Sequence, residues 1–249
     1  MIPLHATTAN DLIGELNKLR EQGNFIPKDG LAWTQIYKKI QKLMTVDAAQ
    51  GWHVQGILYA AAGDVAQMEY SFANASRLDS AINIKRNLFA SYASLGLASK
   101  GCDLYSVIGV PEFGFFTQLI LSALSVGAFQ AVNENLKSAQ KMGIDMNGLP
   151  VQLISESASV LARAGISDEM VARHIDAVGA VLTAHKTLVP KEPVILSNDI
   201  ENVNSGVTLV FRVYGDAKTI FSYNVELAQM EEEMKVEKSQ AFDVVFAAA

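Results

Sequence analysis

The chain is poor in the residues that covalent cross-links and metal sites require. Its single cysteine, Cys102, cannot form an intramolecular disulfide or a multi-thiolate metal site. The four histidines form no evident constellation of metal ligands. We therefore expect a protein of a reducing compartment, the cytoplasm, that binds no metal and no other cofactor.

Charge is also scarce. Charged residues make up 18% of the chain, against roughly 25% in average soluble domains. Lysine and arginine form only short pairs such as Lys38 and Lys39, and the net charge is -6. Because nucleic-acid binding needs a basic surface that neutralises phosphates, we expect no nucleic-acid partner. The low charge instead predicts an apolar surface for a partner or for self-association.

Long hydrophobic runs are missing as well. Met1 to Asn10 contains no apolar stretch of signal-peptide length. No later run reaches the roughly 18 apolar residues that span a bilayer. The longest candidate, Phe115 to Val126, is interrupted by polar residues. We expect no membrane partner.

Sequence motifs of catalysis are not found either. The chain has no phosphate-binding loop followed by Lys-Ser or Lys-Thr, no nucleophile elbow and no His-Glu-x-x-His motif. His174 and His185 lie on one predicted helix, about 16 Å apart along its axis. We expect no enzymatic activity. A helical enzyme whose site is assembled across several helices is a lesser alternative, since catalytic groups need only be close in space.

What the sequence does contain is a repeated glycine between segments of helical length. Gly63, Gly96, Gly127 and Gly165 follow one another at intervals of about 31 to 38 residues. Each stands between two stretches of helical apolar periodicity. A glycine that ends one helix just before the next is typical of a left-handed turn, which a residue without Cβ adopts cheaply. Each glycine therefore predicts the turn of a helical hairpin.

The first of these units resembles a tetratricopeptide repeat. The resemblance rests on alternating aromatic and small residues around a turn: Trp52, Gly56, Tyr59, Gly63, Asp64, Phe72 and Ala75. The unit departs from the family pattern at Gln55, Met68 and Ser80. The later units share its apolar spacing and its turn glycine.

The resemblance implies a mainly α fold, a right-handed stack of about five antiparallel helical hairpins over residues 1–189. Residues 1–47 would form an N-terminal capping hairpin, with helices at Asp11 to Gln22 and Leu31 to Met44. An irregular helical bundle is the alternative, because glycine ends helices in many folds.

After residue 190 the pattern changes to β-branched and aromatic residues that alternate with polar ones. A small antiparallel sheet of three or four strands is predicted, with candidates at Val194 to Leu196, Thr208 to Tyr214, Thr219 to Leu227 and Phe242 to Phe246. Gly215 to Lys218 would form a hairpin turn. The last helix, Asp168 to His185, would cover the sheet. Residues 190–249 are then either a structural cap or an interface, including a homo-oligomer through the sheet edge.

In tetratricopeptide repeats the first helix of each hairpin lines a concave groove, so the resemblance also implies where a partner would bind. The partner-binding residues it implies are His53, Asn83, Arg86, Asn87, Gln118, Gln152 and Glu156. Amides, hydroxyls and one arginine suit a peptide backbone or a terminal carboxylate. The leading hypothesis is thus an adaptor or chaperone-like module that binds another protein or peptide. The alternative is a regulatory inhibitor of the antitoxin, immunity or phage-encoded type, acting through the C-terminal sheet.

Overall fold

A computed structural model of the chain describes residues 4–108, 116–189, 192–200 and 204–249. Over these residues the chain is mainly helical, with a small C-terminal sheet, as the sequence predicts. It divides into two compact units, Met1–Leu95 with Thr183–Leu188, and Gly96–Leu182 with Val189–Ala249. The predicted C-terminal segment, residues 190–249, therefore shares its unit with the helices from residue 96 onward and does not form a unit of its own.

The described residues form eleven helices and three strands. The first unit contains α1 (Leu4–Arg20), α2 (Leu31–Val46), α3 (Ala48–Ala61), α4 (Val65–Leu78) and α5 (Ile82–Leu95). The second contains α6 (Ala98–Ile108), α7 (Phe116–Ser125), α8 (Phe129–Lys141), α9 (Val151–Arg163), most of α10 (Asp168–Ala184), β1 (Val194–Ile200), β2 (Asn204–Val213), α11 (Ala217–Glu233) and β3 (Phe242–Ala248).

The four repeated glycines end helices in the predicted way. Gly63, Gly96, Gly127 and Gly165 have φ angles of 71°, 64°, 86° and 72°. Each stands between two consecutive helices: α3 and α4, α5 and α6, α7 and α8, and α9 and α10, in that order. The left-handed conformation is cheap only for glycine, so these positions fix where each helix stops. A left-handed glycine between two consecutive helices is confirmed at all four sites. Of the helix pairs that flank these glycines, α3 with α4 and α7 with α8 pack against each other.

Helix α3 is the centre of the first unit. It contacts α1, α2, α4 and α5, and its residues Val54, Ile57 and Leu58 are buried. Two aspartates cap the start of α3 and the start of α4. The side chain of Asp47 accepts a hydrogen bond from the Gln50 backbone N–H at 3.0 Å, and Asp64 accepts one from Gln67. Such caps satisfy backbone N–H groups that have no partner inside the helix.

Helix α10 holds the second unit together through two carboxylates. Asp168 accepts hydrogen bonds from the backbone N–H groups of Gln130 and Ala131, at 2.8 and 3.0 Å, at the start of α8. Asp176 accepts one from the backbone of Ser99, at 3.1 Å, at the start of α6. The same helix therefore caps two helices that precede it by 37 and 77 residues. A carboxylate also suits the positive end of a helix dipole.

The sheet is mixed, which corrects the predicted antiparallel arrangement. Its strand order is β1-β2-β3; β1 pairs with β2 antiparallel and β2 with β3 parallel. The predicted strands at Val194, Thr208 and Phe242 are confirmed. Helix α9 contacts β1 and β2, one helix earlier than the predicted cover. The buried face of β2 and β3 consists of apolar side chains: Val207, Leu209, Phe211, Val213, Phe242, Val244 and Phe246.

The predicted strand at Thr219 to Leu227 is wrong, because these residues lie in α11. The predicted hairpin turn before it is the N-terminal cap of this helix. The side chain of Asp216 accepts hydrogen bonds from Thr219, at 2.8 Å from the backbone N–H and 2.7 Å from the hydroxyl. The second half of this helix, from Glu226 to Glu233, consists of good helix formers. A parallel β2–β3 pair needs a crossover connection, and α11 supplies it.

We expect Gly179→Ala to destabilise the chain. Gly179 of α10 faces Gly96, and a Cβ at position 179 would lie 2.3 Å from the Gly96 carbonyl oxygen. Because backbone has to move to relieve this contact, the unfolding free energy should fall by about 1–3 kcal/mol or more.

Urea unfolding followed by circular dichroism measures this loss. The matched control is Gly14→Ala in α1, where a Cβ meets nothing within 4 Å. There the change should raise stability by roughly 0.5–1 kcal/mol. Equal effects of the two substitutions would contradict the close approach at Gly179.

Candidate functional site

Two of the predicted groove residues are bonded to each other in the first unit. The Asn87 side-chain amide donates a hydrogen bond to Nε2 of His53 at 2.7 Å. His53 is only 4% exposed, and its ring lies 6.0 Å from that of Phe72. Its Nδ1 atom is buried and makes no hydrogen bond within the described residues. His53 is therefore part of the core between α3 and α5 and does not present its ring to a partner.

Burial also decides the charge of His53. It lowers the pKa of this imidazole from 6.5 to about 4, against a smaller opposing effect of the Asp79 charge. The ring is therefore neutral at neutral pH. A neutral ring that accepts a hydrogen bond from Asn87 suits structural packing better than recognition of an anion.

The other predicted groove residues lie mainly on the surface. Asn83 is exposed and Arg86 is half-buried, both on α5. Gln118 is exposed on α7 of the second unit. On α9, Gln152 donates a hydrogen bond to Glu156 at 2.7 Å, and both side chains are exposed. The structure thus brings together His53 with Asn87, and Gln152 with Glu156.

The second unit also has an apolar helix surface, on α11. Phe221, Val225, Ala228, Gln229 and Glu232 recur at helical spacing and are all exposed. We call these five residues the α11 surface. Phe221 is 70% exposed and Val225, one turn later, is 42% exposed. By contrast, the exposed apolar residues of α2 stand at opposite ends of that helix.

The opposite side of α11 is anchored on β3. The Asn224 amide donates to the Phe246 carbonyl oxygen at 3.0 Å and accepts from the Phe246 backbone N–H at 2.9 Å. The ring of Tyr223 packs edge-on against that of Phe246, with centroids 5.5 Å apart. Leu227 is buried. These contacts fix which face of α11 is turned outward.

A shallow groove continues the α11 surface toward the C-terminal end of the helix. Its volume is about 720 Å³, and it is lined by Asn224, Val225, Ala228, Gln229, Glu231, Glu232, Lys235, Val236 and Lys238. Its charged lining residues are two carboxylates, Glu231 and Glu232, and two lysines, Lys235 and Lys238. The groove therefore begins apolar and ends in a region of mixed charge.

A buried ion pair holds the floor of this groove. His174 of α10 places Nδ1 2.6 Å from a carboxylate oxygen of Glu231, and Nε2 3.1 Å from the carbonyl oxygen of Glu237. Both ring nitrogens of His174 therefore lie within hydrogen-bonding distance of an acceptor oxygen. Burial disfavours the charge of Glu231, but hydrogen bonds and charge from His174 and Lys238 outweigh it and hold the pKa of this carboxyl below its usual range.

The described residues offer little reactive chemistry. They contain no group of three or more His, Cys, Asp or Glu side chains placed to bind a metal ion. Burial raises the pKa of the Cys102 thiol to about 12, and its Sγ donates to the Val126 carbonyl oxygen at 3.2 Å. A thiol with so high a pKa is a poor nucleophile. No helix in this part of the chain is long and apolar enough to cross a bilayer.

The sequence analysis did not identify the α11 surface. It assigned Thr219 to Leu227 to a strand on the alternation of apolar and polar residues. The signal for a helix was present in Asp216, a capping residue, and in the helix-favouring residues that follow. Glu231 and His174, 57 residues apart in sequence, carry no local signal of their pairing.

Comparisons with protein-family models, with curated proteins and with solved structures found no match to this chain. The site must therefore be interpreted from its own geometry.

We expect His53 to make the fold sensitive to acid. Since burial lowers the pKa of His53 from its ordinary 6.5 to about 4 in the folded chain, the unfolded chain takes up a proton that the folded chain excludes. Stability should fall as the pH drops from about 6.5 to about 4, with a loss of about 2 kcal/mol near pH 5.

The measurement is the unfolding free energy at pH 7 and pH 5. His53→Gln should remove this part of the pH dependence, whatever its effect at neutral pH, whereas the exposed His185→Gln should retain it. If His53→Gln kept the full acid sensitivity, His53 would not be the buried neutral imidazole that causes it.

Glu231→Gln should destabilise the second unit. The substitution removes the buried carboxylate that contacts His174 and Lys238, and removal of one partner of a buried pair costs about 3 kcal/mol or more. Urea unfolding of Glu231→Gln and of the exposed control Glu232→Gln measures the difference. The control should change stability by less than about 0.5 kcal/mol. A similar small change in both variants would argue against the buried pair.

Proposed function

We propose that this chain is a non-enzymatic protein-binding module and that its partner, another protein or peptide, binds the α11 surface. The observation that carries this proposal is the exposure of Phe221 and Val225, one helical turn apart, on a helix whose other side is anchored by Asn224. Exposed apolar side chains that are contiguous, and not scattered, mark interaction sites. A large aromatic residue at the centre of such a surface is a common energetic anchor.

The partner's chemistry follows from the charge beside the apolar residues. Glu232 is exposed on the same face, and Glu231 lies beneath it next to Lys238. A helix with an apolar stripe would pack on Phe221 and Val225, and one basic residue beside that stripe would pair with the exposed Glu232. Complementary charge adds specificity and rate of association more than affinity.

The same surface serves an adaptor and a regulatory inhibitor alike. Both need a rigid framework and one exposed apolar face. The two functions differ in the fate of the partner, which keeps its activity when bound to an adaptor and loses it when bound to an inhibitor. An activity assay of the captured partner therefore separates them.

A second candidate is the predicted groove of a tetratricopeptide-like stack. The glycine turns at Gly63, Gly96, Gly127 and Gly165 support paired helices, and the exposure of Asn83 beside Arg86 supports α5 as a contact helix. Against it, His53 and Asn87 are engaged with each other. Such a groove requires a right-handed stack of helical hairpins, which we propose on the basis of the resemblance to tetratricopeptide repeats.

Phe221→Asp should abolish partner capture. The substitution places a charge where the partner's apolar residues would be buried, which weakens binding. Because Phe221 is 70% exposed, the substitution should affect the fold little. The measurement is affinity purification from the native cell followed by mass spectrometry, with the same variant's thermal melt as a test of folding. Leu31→Asp is the matched control, since Leu31 is 74% exposed on α2.

The same experiment tests the second candidate. Arg86→Glu should leave capture unchanged if the α11 surface binds the partner, and should abolish it if the groove does. Capture that survives Phe221→Asp and is lost in Arg86→Glu would contradict our proposal and favour the groove.

A further inference from the structure

The two edges of the sheet differ in whether their backbone groups are satisfied. The backbone N–H of Val207 donates to the carbonyl oxygen of Ala241 at 2.9 Å, and that of Ala249 donates to Val213 at 3.0 Å. Since backbone groups alternate between the two sides of a strand, the odd-numbered residues of β2 turn to β3 and the even-numbered ones turn to β1. The even-numbered residues of β1 therefore pair with β2, and Ile195, Ser197 and Asp199 direct their backbone N–H and C=O groups outward.

The outer edge of β3 is blocked by side chains. The amide of Asn224 pairs with both backbone groups of Phe246, as a neighbouring strand would. The N–H of Val244 is bonded to the carboxylate of Asp243 at 2.9 Å. These contacts leave little for an added strand to bind, which is how proteins protect sheet edges.

The outer edge of β1 carries no such protection in the part of the chain that the structure describes. No hydrogen bond to the outward backbone groups of Ile195, Ser197 or Asp199 is made by another described residue. The strand contains no lysine and no internal proline, the residues that most often discourage pairing at an edge. Its one charge, Asp199, is bonded to Arg163 at 2.6 Å and to Ser205 at 2.8 Å.

The side chains along this edge fit a second copy of the same strand. Leu196 is 55% exposed in the middle of β1, on the face of the sheet opposite α9. An antiparallel pairing with a two-fold axis at Leu196 places this leucine directly opposite its own copy. Ile195 then faces Ser197 of the second copy, and Asp199 faces Pro193, so no like charges meet. On the same face, the half-buried Val194, Val210 and Val245 continue the apolar surface away from the seam.

We propose that the chain forms a two-fold dimer through antiparallel pairing of β1 with β1 of a second copy, in the register centred on Leu196. The dimer joins the two three-stranded sheets into one. The outward N–H and C=O groups of Ile195 and Ser197 bond to those of Ser197 and Ile195 in the second copy. This surface is separate from the α11 surface, so the dimer and the proposed function stand or fall independently.

The first test is analytical ultracentrifugation of the full chain over a wide range of concentration. Wild type should dissociate on dilution with one dimer equilibrium. Ser197→Pro removes an outward N–H donor and leaves the β1–β2 hydrogen bonds intact, and Leu196→Glu places like charges opposite each other. Each variant should weaken dimerisation at least about ten-fold. Ser197→Ala keeps the donor and should dimerise as wild type does; thermal melts establish that the variants are folded.

The second test fixes the register. Directly opposite residues of an antiparallel pair that face away from the hydrogen bonds are about 4.5 Å apart at Cα, a separation that a disulfide bridges. Leu196→Cys should therefore give an interchain disulfide on mild oxidation, faster than Asn198→Cys, which lies on the same face two residues away. The blank is oxidation of wild type, in which the thiol of Cys102 donates a hydrogen bond to the Val126 carbonyl oxygen.

Three results would overturn the proposal: a wild-type chain that stays monomeric at every concentration, a dimer that Ser197→Pro and Leu196→Glu leave unchanged, or cross-linking at Asn198→Cys in preference to Leu196→Cys. A foreign extended peptide as the occupant of the edge would give the first of these results.

Discussion

The second unit depends on two carboxylates that cap helices from a distance. Asp168 and Asp176 stand on one helix, α10, and accept hydrogen bonds from the first turns of α8 and α6. Burial raises the pKa of both carboxyls, and the backbone N–H groups of the capped helices act in the opposite direction. A single helix thereby fixes the starting points of two others. The close approach of Gly96 and Gly179 brings the turn before α6 against the same helix.

How far the sequence predicts this structure depends on whether a signal is local. Gly63 and the other turn glycines were predictable because a left-handed turn is a property of one residue. Asp168 and Asp176 as caps were not, because their partners lie 37 to 77 residues away. Helix α11 was missed although its cap at Asp216 is a local signal. The alternation over Phe221, Tyr223, Val225 and Leu227 resembles a strand, and the tertiary contacts of Leu227 and Asn224 decide between strand and helix. Of the predicted site, His53 and Asn87 were chosen as separate groove positions. The structure bonds them to each other, and burial, which the sequence does not show, makes this a core contact.

The C-terminal part of the chain has two distinct surfaces, the α11 surface and the open edge of β1. The amide of Asn224 closes the edge of β3 and at the same time turns Phe221 and Val225 of α11 outward. His174 and Glu231 fix the other end of α11 against α10. The apolar surface is therefore attached to a rigid support, which lowers the entropy lost on binding. The open edge of β1 remains for pairing of backbone with backbone.

We propose that partners bind this protein at the α11 surface and not at the predicted helical groove. Site-specific photo-crosslinking in the native cell tests it most directly, with a photoreactive amino acid at position 221 in one variant and at position 83 in another. Both positions are exposed on helices, so both probes reach whatever lies beside them. We expect a discrete intermolecular adduct from position 221 and none from position 83. An adduct from position 83 alone would contradict it.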